Sequence, residues 1–166
     1  MSEQRFIDNG NGTVTDTLSK LMWMREDSYL MLKKFLVYRH AKKFLDKLNA
    51  ESFGGYTDWR FPNKREAHSL FHPDKSKSIR DKYNMDIYID PIFAPGCGYD
   101  TWTTHTRGNI TAYAYSFNSG SGGHKEVDDT LNTSVRFVRG EFDNSRLQIT
   151  AVPQVRDIIT QGGGWR

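Results

Sequence analysis

The alternation of hydrophobic and polar positions at the start of the chain predicts a β-hairpin. Residues 5–8 and 13–16 are short runs of β-prone residues, and the loop between them holds two Asn-Gly pairs. Asn-Gly readily supplies the positive φ angles that tight turns need. A second turn at residues 18–20 leads into the apolar run at residues 21–24, which we expect to form a buried strand.

The period of the apolar positions then changes and indicates an amphipathic helix. Apolar residues recur at steps of three and four and form one stripe: Val37, Ala41, Phe44, Leu45 and Leu48. A basic stripe along another face consists of Arg39, Lys43 and Lys47. This stripe is a candidate polyanion-binding surface, although a solvated helix face is the commoner explanation. We expect Gly54 and Gly55 to end the helix.

Local signals also define the middle of the chain. Residues 59–61 read as a short strand ended by Pro62. Asn63, followed three positions later by Glu66, matches the capping box that begins a second helix. Residues 72–86 are charged and weakly periodic, so we expect an exposed excursion there.

The last third of the chain has the pattern of a β-sheet. Residues 99–105 are rich in aromatic and β-branched residues, which favours a strand. In residues 112–117 the alternation places Tyr113, Tyr115 and Phe117 on one face of a further strand. The apolar positions of residues 134–139 also alternate, as in an inner strand.

A glycine-rich stretch lies between the strands predicted in the last third of the chain. The glycine-rich stretch around Gly120, Gly122 and Gly123 lacks both the dinucleotide fingerprint and the Gly-Lys-Ser/Thr of a P-loop, so we interpret it as a hairpin loop.

Residues 140–166 have no clear core pattern, although residues 147–150 are candidates for one more strand.

Composition and charge narrow the class of protein. With 166 residues, 37% hydrophobic, the chain suits one domain with a core, and a net charge of +3 is too small for a dedicated nucleic-acid binder. The lone Cys97 forms no internal disulfide. The first residues lack the apolar core of a signal peptide, and no run is long enough to span a bilayer. These features predict a cytoplasmic protein, or an extracellular one if a leader precedes this sequence.

No motif for metal or cofactor chemistry is present. Counted from Asp8, the third, sixth and twelfth positions of the first loop are Gly10, Thr13 and Ser19, which is not the pattern of an EF-hand. The five histidines are scattered, and no serine lies in a G-x-S-x-G motif. We therefore expect a turn in place of a metal loop, and a protein without cofactors.

An ordered series of phrases resembles one known family. The phrases are RFIDNGNGTVTDTLSKLMWM, GYTDWRFPNKREAHSL, IDPIF, YDTWTTH, AYAYSFNSG and VRFVRG. In order and spacing they are similar to the C-terminal domain of the bacterial Legionella collagen-like adhesin, also called domain of unknown function 1566. The resemblance covers about residues 5–140. It implies an α+β, C-type-lectin-like fold with a small mixed or antiparallel sheet, two helices and long loops.

The resemblance also bears on organisation and partners. It divides the chain into a domain at residues 1–140 and an extension at residues 141–166 that is partner-binding or mobile, and it implies a homotrimer. Family members commonly have a cysteine in the first helix and another in the last strand. The matching positions here are Leu45 and Phe137, so an apolar pair would replace a cross-link.

The resulting hypothesis is a domain that binds a glycan, an acidic polysaccharide or a protein and has no catalytic activity. The candidate ligand-binding residues lie on loops between the later strands and carry aromatic, amide or charged groups. They are Tyr99, Asp100, His105, Arg107, Asn109, Asn118, His124 and Lys125. Trp23, Trp59 and Trp102 are assigned to the core.

Two alternatives stay open. The first is a structural or signalling subunit that assembles through its basic helix and its C-terminal extension. The second is an oxidase like the formylglycine-generating enzyme, which the resemblance makes conceivable. That chemistry uses a pair of active-site thiols to hold copper, and this chain has Cys97 alone.

Overall fold

The structure, a computed structural model, describes residues 4–128 and 132–154. These residues form three α-helices and nine short strands arranged in small antiparallel sheets. The chain therefore has the predicted α+β architecture.

The first sheet joins the two ends of the family-like region. Its strands, in spatial order, are β1 (Phe6–Asp8), β2 (Thr13–Asp16), β3 (Met22–Met24) and β9 (Val138–Arg139). The predicted hairpin and the buried strand after it are confirmed. The predicted strand at residues 59–61 is reduced to a single bridge between Arg60 and Val138.

The predicted strand at residues 134–139 is shorter than expected. Only its last two residues pair, as β9, while the preceding residues run extended through the core. Arg136 lies between the buried Val135 and Phe137 and is itself buried. Its Nη1 donates to the carbonyl oxygens of Met24, at 3.2 Å, and Arg25, at 2.8 Å. These hydrogen bonds explain how a charged side chain is accommodated inside the domain.

Two further sheets follow along the chain. β4 (Ile79–Arg80) and β5 (Asp86–Ile87) form a two-stranded hairpin within the segment predicted to be an exposed excursion. The third sheet contains β6 (Asp100–Arg107), β7 (Thr111–Ser116) and β8 (Ser121–Glu126), in that order. The pairing register shifts in β6 between Trp102 and Thr106, as in a bulge. Gly120 lies in the β7–β8 turn, whereas Gly122 and Gly123 belong to β8.

The helices are α1 (Ser28–Leu32), α2 (Tyr38–Ala50) and α3 (Lys64–Ser69), with a 3-10 turn at Phe53–Gly55. α2 is the predicted amphipathic helix, and α3 begins at the predicted capping box. In that box Asn63 and Glu66 exchange two hydrogen bonds of 2.8 Å. The prediction of two helices missed α1, a single turn of helix capped by Asp27.

The core consists of two clusters on opposite faces of the sheets. Tyr113 and Tyr115 of β7 point into the first cluster, and Ala112 and Ala114 point into the second. The three tryptophans assigned to the core, Trp23, Trp59 and Trp102, are all buried. Leu45 and Phe137, the positions matched to the family cysteines, both pack in the second cluster.

The described part of the C-terminal extension packs on this core. Phe142 and Val152 contact the first cluster. The carbonyl oxygen of Pro153 accepts a hydrogen bond of 3.1 Å from the amide of Gly122 in β8. The strand predicted at residues 147–150 does not form, and the extension instead makes a parallel bridge between Gln154 and Gly122. Residues 155–166 lie outside the described residues.

Candidate functional site

Three aromatic rings and one lysine meet on the surface between α1 and the β4–β5 hairpin. The rings of Tyr29 and Phe35 have centroids 4.7 Å apart, and Phe35 stacks on Tyr83 at 6.3 Å. The Nζ atom of Lys82 lies 5.2 Å from the ring centroids of both Tyr29 and Tyr83. The Lys82–Tyr29 and Phe35–Tyr83 contacts join two segments that are about fifty positions apart in sequence. We call Tyr29, Phe35, Lys82 and Tyr83 the aromatic-basic patch.

The end of α1 positions two of these rings. Asp27 caps the helix by accepting a hydrogen bond of 3.0 Å from the amide of Leu30. Lys33 then adopts a left-handed conformation, with φ of 59°, and its amide donates to the carbonyl of Tyr29 at 2.6 Å. This turn ends the helix and returns the chain so that Phe35 packs against Tyr29.

The β4–β5 loop positions the other two residues. The Oδ1 atom of Asp81 accepts hydrogen bonds of 2.8 Å from the amides of Tyr83 and Met85. The amide of Lys82 donates to the carbonyl of Cys97 at 2.7 Å. These hydrogen bonds fix the backbone of the loop. The side chains of Tyr83 and Met85 nevertheless face solvent and are 49% and 40% exposed, respectively.

The patch combines apolar ring faces with positive charge. Lys82 is exposed, and its interaction with the Tyr29 hydroxyl raises the pKa of the ammonium, so Lys82 stays charged at neutral pH. Lys33 and Lys34, next to Phe35 in the chain, are exposed as well. Such a surface can stack on apolar faces of a ligand and pair with its anionic groups.

The candidate residues on the later strands do not converge on one site. Tyr99, Asp100 and Lys125 form a largely buried cluster, in which Lys125 Nζ lies 2.9 Å from Asp100 Oδ2. The same ammonium donates to Asn132 Oδ1 at 3.0 Å and to Thr133 Oγ1 at 2.9 Å. Since the Asp100 side chain is only 2% exposed, this ion pair holds the sheet to the segment at residues 132–134.

A second group lies on the outer part of the third sheet. Arg107 and Asn109 are exposed at the β6–β7 turn. His105, in the bulged part of β6, and His124 of β8 both pack edge-on against the ring of Tyr113. The distances between ring centroids are 6.5 and 5.8 Å, respectively. Partial burial, together with nearby Lys64, lowers the pKa of His105.

The last candidate, Asn118, is at the opposite end of that sheet. Its Nδ2 donates to the carbonyl of Asp86 at 2.7 Å, which ties the β7–β8 turn to the β4–β5 hairpin. The eight candidates thus occupy three separate places in the fold.

The basic stripe of α2 lies on the solvent side, as its period predicts. Arg39, Lys43 and Lys47 are all exposed, and Lys47 lies 3.9 Å from Glu51 across one helical turn. Binding of a polyanion to this stripe stays a prediction.

The first loop is a turn that its own side chains organise. Asp8 Oδ1 accepts from the amide of Gly10 at 2.9 Å, and Asn11 Oδ1 accepts from the Thr13 hydroxyl at 2.6 Å. Within residues 4–128 and 132–154, no three His, Cys, Asp or Glu side chains are grouped so as to hold a metal ion. Nor does the described part of the chain contain a helix long and apolar enough to cross a membrane.

Sequence reasoning missed the aromatic-basic patch. The available signal was the mixture of aromatic and basic residues in two short segments, residues 29–35 and 80–85. Neither segment has a helical or strand period strong enough to show which of its side chains lie on one surface. Only the tertiary fold brings the two segments together.

Comparisons with known proteins give one clear match. No curated protein and no solved structure matches the chain. The family model of the Lcl C-terminal domain matches residues 12–139, from the loop of the first hairpin to the end of β9. The chain therefore belongs to the Lcl C-terminal domain family.

Proposed function

We propose that this domain recognises an acidic polysaccharide and binds it without catalysis. The observation that carries the proposal is the position of Lys82, whose ammonium lies between the half-buried ring of Tyr29 and the exposed ring of Tyr83. Membership of the Lcl C-terminal domain family, which indicates a ligand-binding or adhesin-associated domain, agrees with this function.

The chemistry of the patch favours a sugar polymer with anionic groups. Pyranose rings have apolar C–H faces that stack on aromatic side chains, and their carboxylates or sulfates pair with lysine. Phe35 and Tyr83 offer near-parallel rings, with an interplanar angle of 14°, next to the ammonium of Lys82. A protein ligand would be the alternative occupant, and the experiment below separates the two.

Other basic surfaces would then be secondary contacts. Arg107 and Asn109 at the β6–β7 turn, and Lys43 in the middle of the α2 stripe, are exposed and polar. These surfaces lack the stacked rings of the patch among the described contacts, so we assign them a smaller role in the same recognition.

The lone thiol gives an oxidase no support. Cys97 is fully buried, and burial raises the pKa of its thiol to about 12. A thiol of this kind is almost wholly protonated at neutral pH, whereas the thiolate is the form that binds metals and reacts. We therefore favour binding over chemistry of the formylglycine-generating type.

The proposal is tested with immobilised polygalacturonate, dextran sulfate and uncharged dextran, using surface plasmon resonance. We expect binding to at least one acidic polymer, weakened by salt, and much weaker binding to dextran. Lys82→Ala should weaken binding about tenfold, because it removes one charge-assisted contact worth about 1.5 kcal/mol.

Lys43→Ala is the matched comparison, since it removes the same charge from the exposed face of α2, and it should weaken binding less than Lys82→Ala does. A loss with Lys43→Ala and none with Lys82→Ala would transfer the site to the α2 stripe. Absence of binding to both acidic polymers, together with saturable binding to a protein from the same source, would replace the polysaccharide by a protein ligand.

A further inference from the structure

A small cleft opens beside the loop of the first hairpin, and none of its lining residues belongs to the aromatic-basic patch. Its volume is about 320 Å³, at the lower end of the range for small-molecule sites. The lining residues are Asp8, Gly10, Gly12, Arg25, Glu26 and Phe53. They come from three segments, which the amide of Arg25 helps to join by donating to the carbonyl of Gly12 at 2.9 Å.

Two glycines leave room for the cleft. Gly10 and Gly12 have φ angles of 78° and 88°, which side chains of L-residues rarely adopt. A Cβ added at Gly12 would lie 3.1 Å from the ring of Phe53, so this glycine lets the loop approach the ring closely. At Gly10 an added Cβ would meet no described atom within 4 Å, because it would point into open space.

An aromatic ring forms one wall, and the fold holds it in place. Phe53 is half-buried and packs edge-on against Trp59, with ring centroids 6.0 Å apart. The indole of Trp59 also donates to the carbonyl of Phe53 at 2.9 Å. The wall is therefore rigid, as a stacking surface for a ligand should be.

The cleft is lined by two carboxylates and one guanidinium. Arg25 Nε donates to the carbonyl of Ile92 at 2.9 Å and lies 3.7 Å from Asp8 Oδ2, so the guanidinium is fixed beside one carboxylate. Glu26 adds a second, exposed carboxylate. A carboxylate or sulfate on the ligand would be repelled by Asp8 and Glu26, while Arg25 offsets one of the two carboxylates and so weakens the attraction of the cleft for an ammonium group.

We propose that this cleft is a subsite for an uncharged sugar ring. Carboxylate oxygens of Asp8 and Glu26 accept from sugar hydroxyls, Arg25 donates to them, and the Phe53 ring packs on the C–H face. The proposal rests on the recognition function above and adds a second, uncharged subsite to it. Glu26 precedes Tyr29 of the patch by three residues, a span of at most about 11 Å. One polysaccharide chain with both uncharged and acidic sugars can therefore contact cleft and patch together.

The test uses ¹⁵N-labelled full-length protein and NMR titration with maltose, cellobiose, lactose and diacetylchitobiose, all uncharged. We expect at least one of them to shift the amide signals of Gly10, Gly12 and Glu26. Glu26→Gln should weaken that binding about tenfold, because it replaces a charged acceptor by a neutral one. Glu51→Gln, which makes the same change at the exposed end of α2, is the control and should have no effect.

Three outcomes would overturn the subsite. They are the absence of shifts with all four disaccharides at millimolar concentration, shifts confined to another surface, and stronger binding of glucosamine than of glucose, which would make the cleft a site for cations. Lys82→Ala should leave the disaccharide shifts unchanged. If no disaccharide binds the cleft while acidic polymers still bind, only the uncharged subsite is overturned. The proposed function stands in that case, because the polymer assay reports on the patch.

Discussion

Among the described residues five lysines lie over tyrosine rings, and two of them, Lys125 and Lys82, have surroundings that differ in burial and in hydrogen bonding. Lys125 lies 5.9 Å from the Tyr99 ring and forms an ion pair with the buried Asp100. Lys82 lies 5.2 Å from the rings of both Tyr29 and Tyr83 and is exposed to solvent. The same pair of residue types thus forms a structural contact in one place and an accessible surface in the other.

The difference shows which property distinguishes a candidate binding lysine. Proximity to an aromatic ring is shared by both residues, so it has no diagnostic value by itself. Burial and the number of hydrogen-bond acceptors separate them, because an ammonium with several protein acceptors has exchanged its water shell for those contacts. Among the described residues Lys125 donates to Asp100, Asn132 and Thr133.

The largest effect on stability is expected where the lysine is structural. Lys125→Met should lower the free energy of unfolding by about 2–3 kcal/mol, because it leaves the carboxylate of Asp100 buried without its ammonium partner. Urea denaturation followed by tryptophan fluorescence measures the change. A loss below about 0.5 kcal/mol would mean that this ion pair does not hold the sheet together.

Lowering the pH should lower the stability of the fold without changing the charge of the aromatic-basic patch. Partial burial lowers the pKa values of His68 in α3, His72 and His105 in β6. Their unfolded pKa is about 6.5, so the unfolded chain binds protons first and stability falls as pH drops below that value. Denaturation midpoints between pH 7.5 and 5, at about half-unit steps, should show the fall, and His68→Gln should reduce it.

The aromatic-basic patch itself contains no histidine, so acid in this range should not change the charge of Lys82. Binding of dextran sulfate at pH 5.5 should therefore persist wherever the domain is still folded. A rise in stability on acidification would contradict the lowered pKa values of these histidines.

The smallest expected effect belongs to the exposed lysine. Lys82→Ala should change the free energy of unfolding by no more than about 0.5 kcal/mol, because the side chain is on the surface. The same urea experiment applies, with Lys125→Met as reference. If Lys82→Ala proves as damaging as Lys125→Met, the patch is part of the scaffold and the comparison fails.

Much of the fold follows from signals that lie close together in sequence. The first hairpin, α2 and the capping box of α3 each depend on residues within one short segment, and all three are confirmed. The single turn of α1 was missed because five residues are too few to establish a helical period. The β4–β5 hairpin was missed because strands of two residues have no alternation to detect.

The candidate site was harder to predict for a different reason. Lys125 was a reasonable candidate because its charge is visible in the sequence, whereas its ion pair with Asp100 appears only in the fold. Tyr29 and Lys82 could not be paired in advance because nothing local brings α1 to the β4–β5 loop. A sequence shows which groups are available, while long-range packing decides which of them reach solvent together.

The buried Arg136 has a consequence for the order in which the domain assembles. Its guanidinium bonds the carbonyl of Met24, 112 positions earlier, next to the place where β9 closes the first sheet on β3. Closing so long a loop is entropically unfavourable until the intervening chain is compact. The hydrogen bond between Arg136 and Met24 is therefore expected to form only after the hairpins and helices between them have become compact.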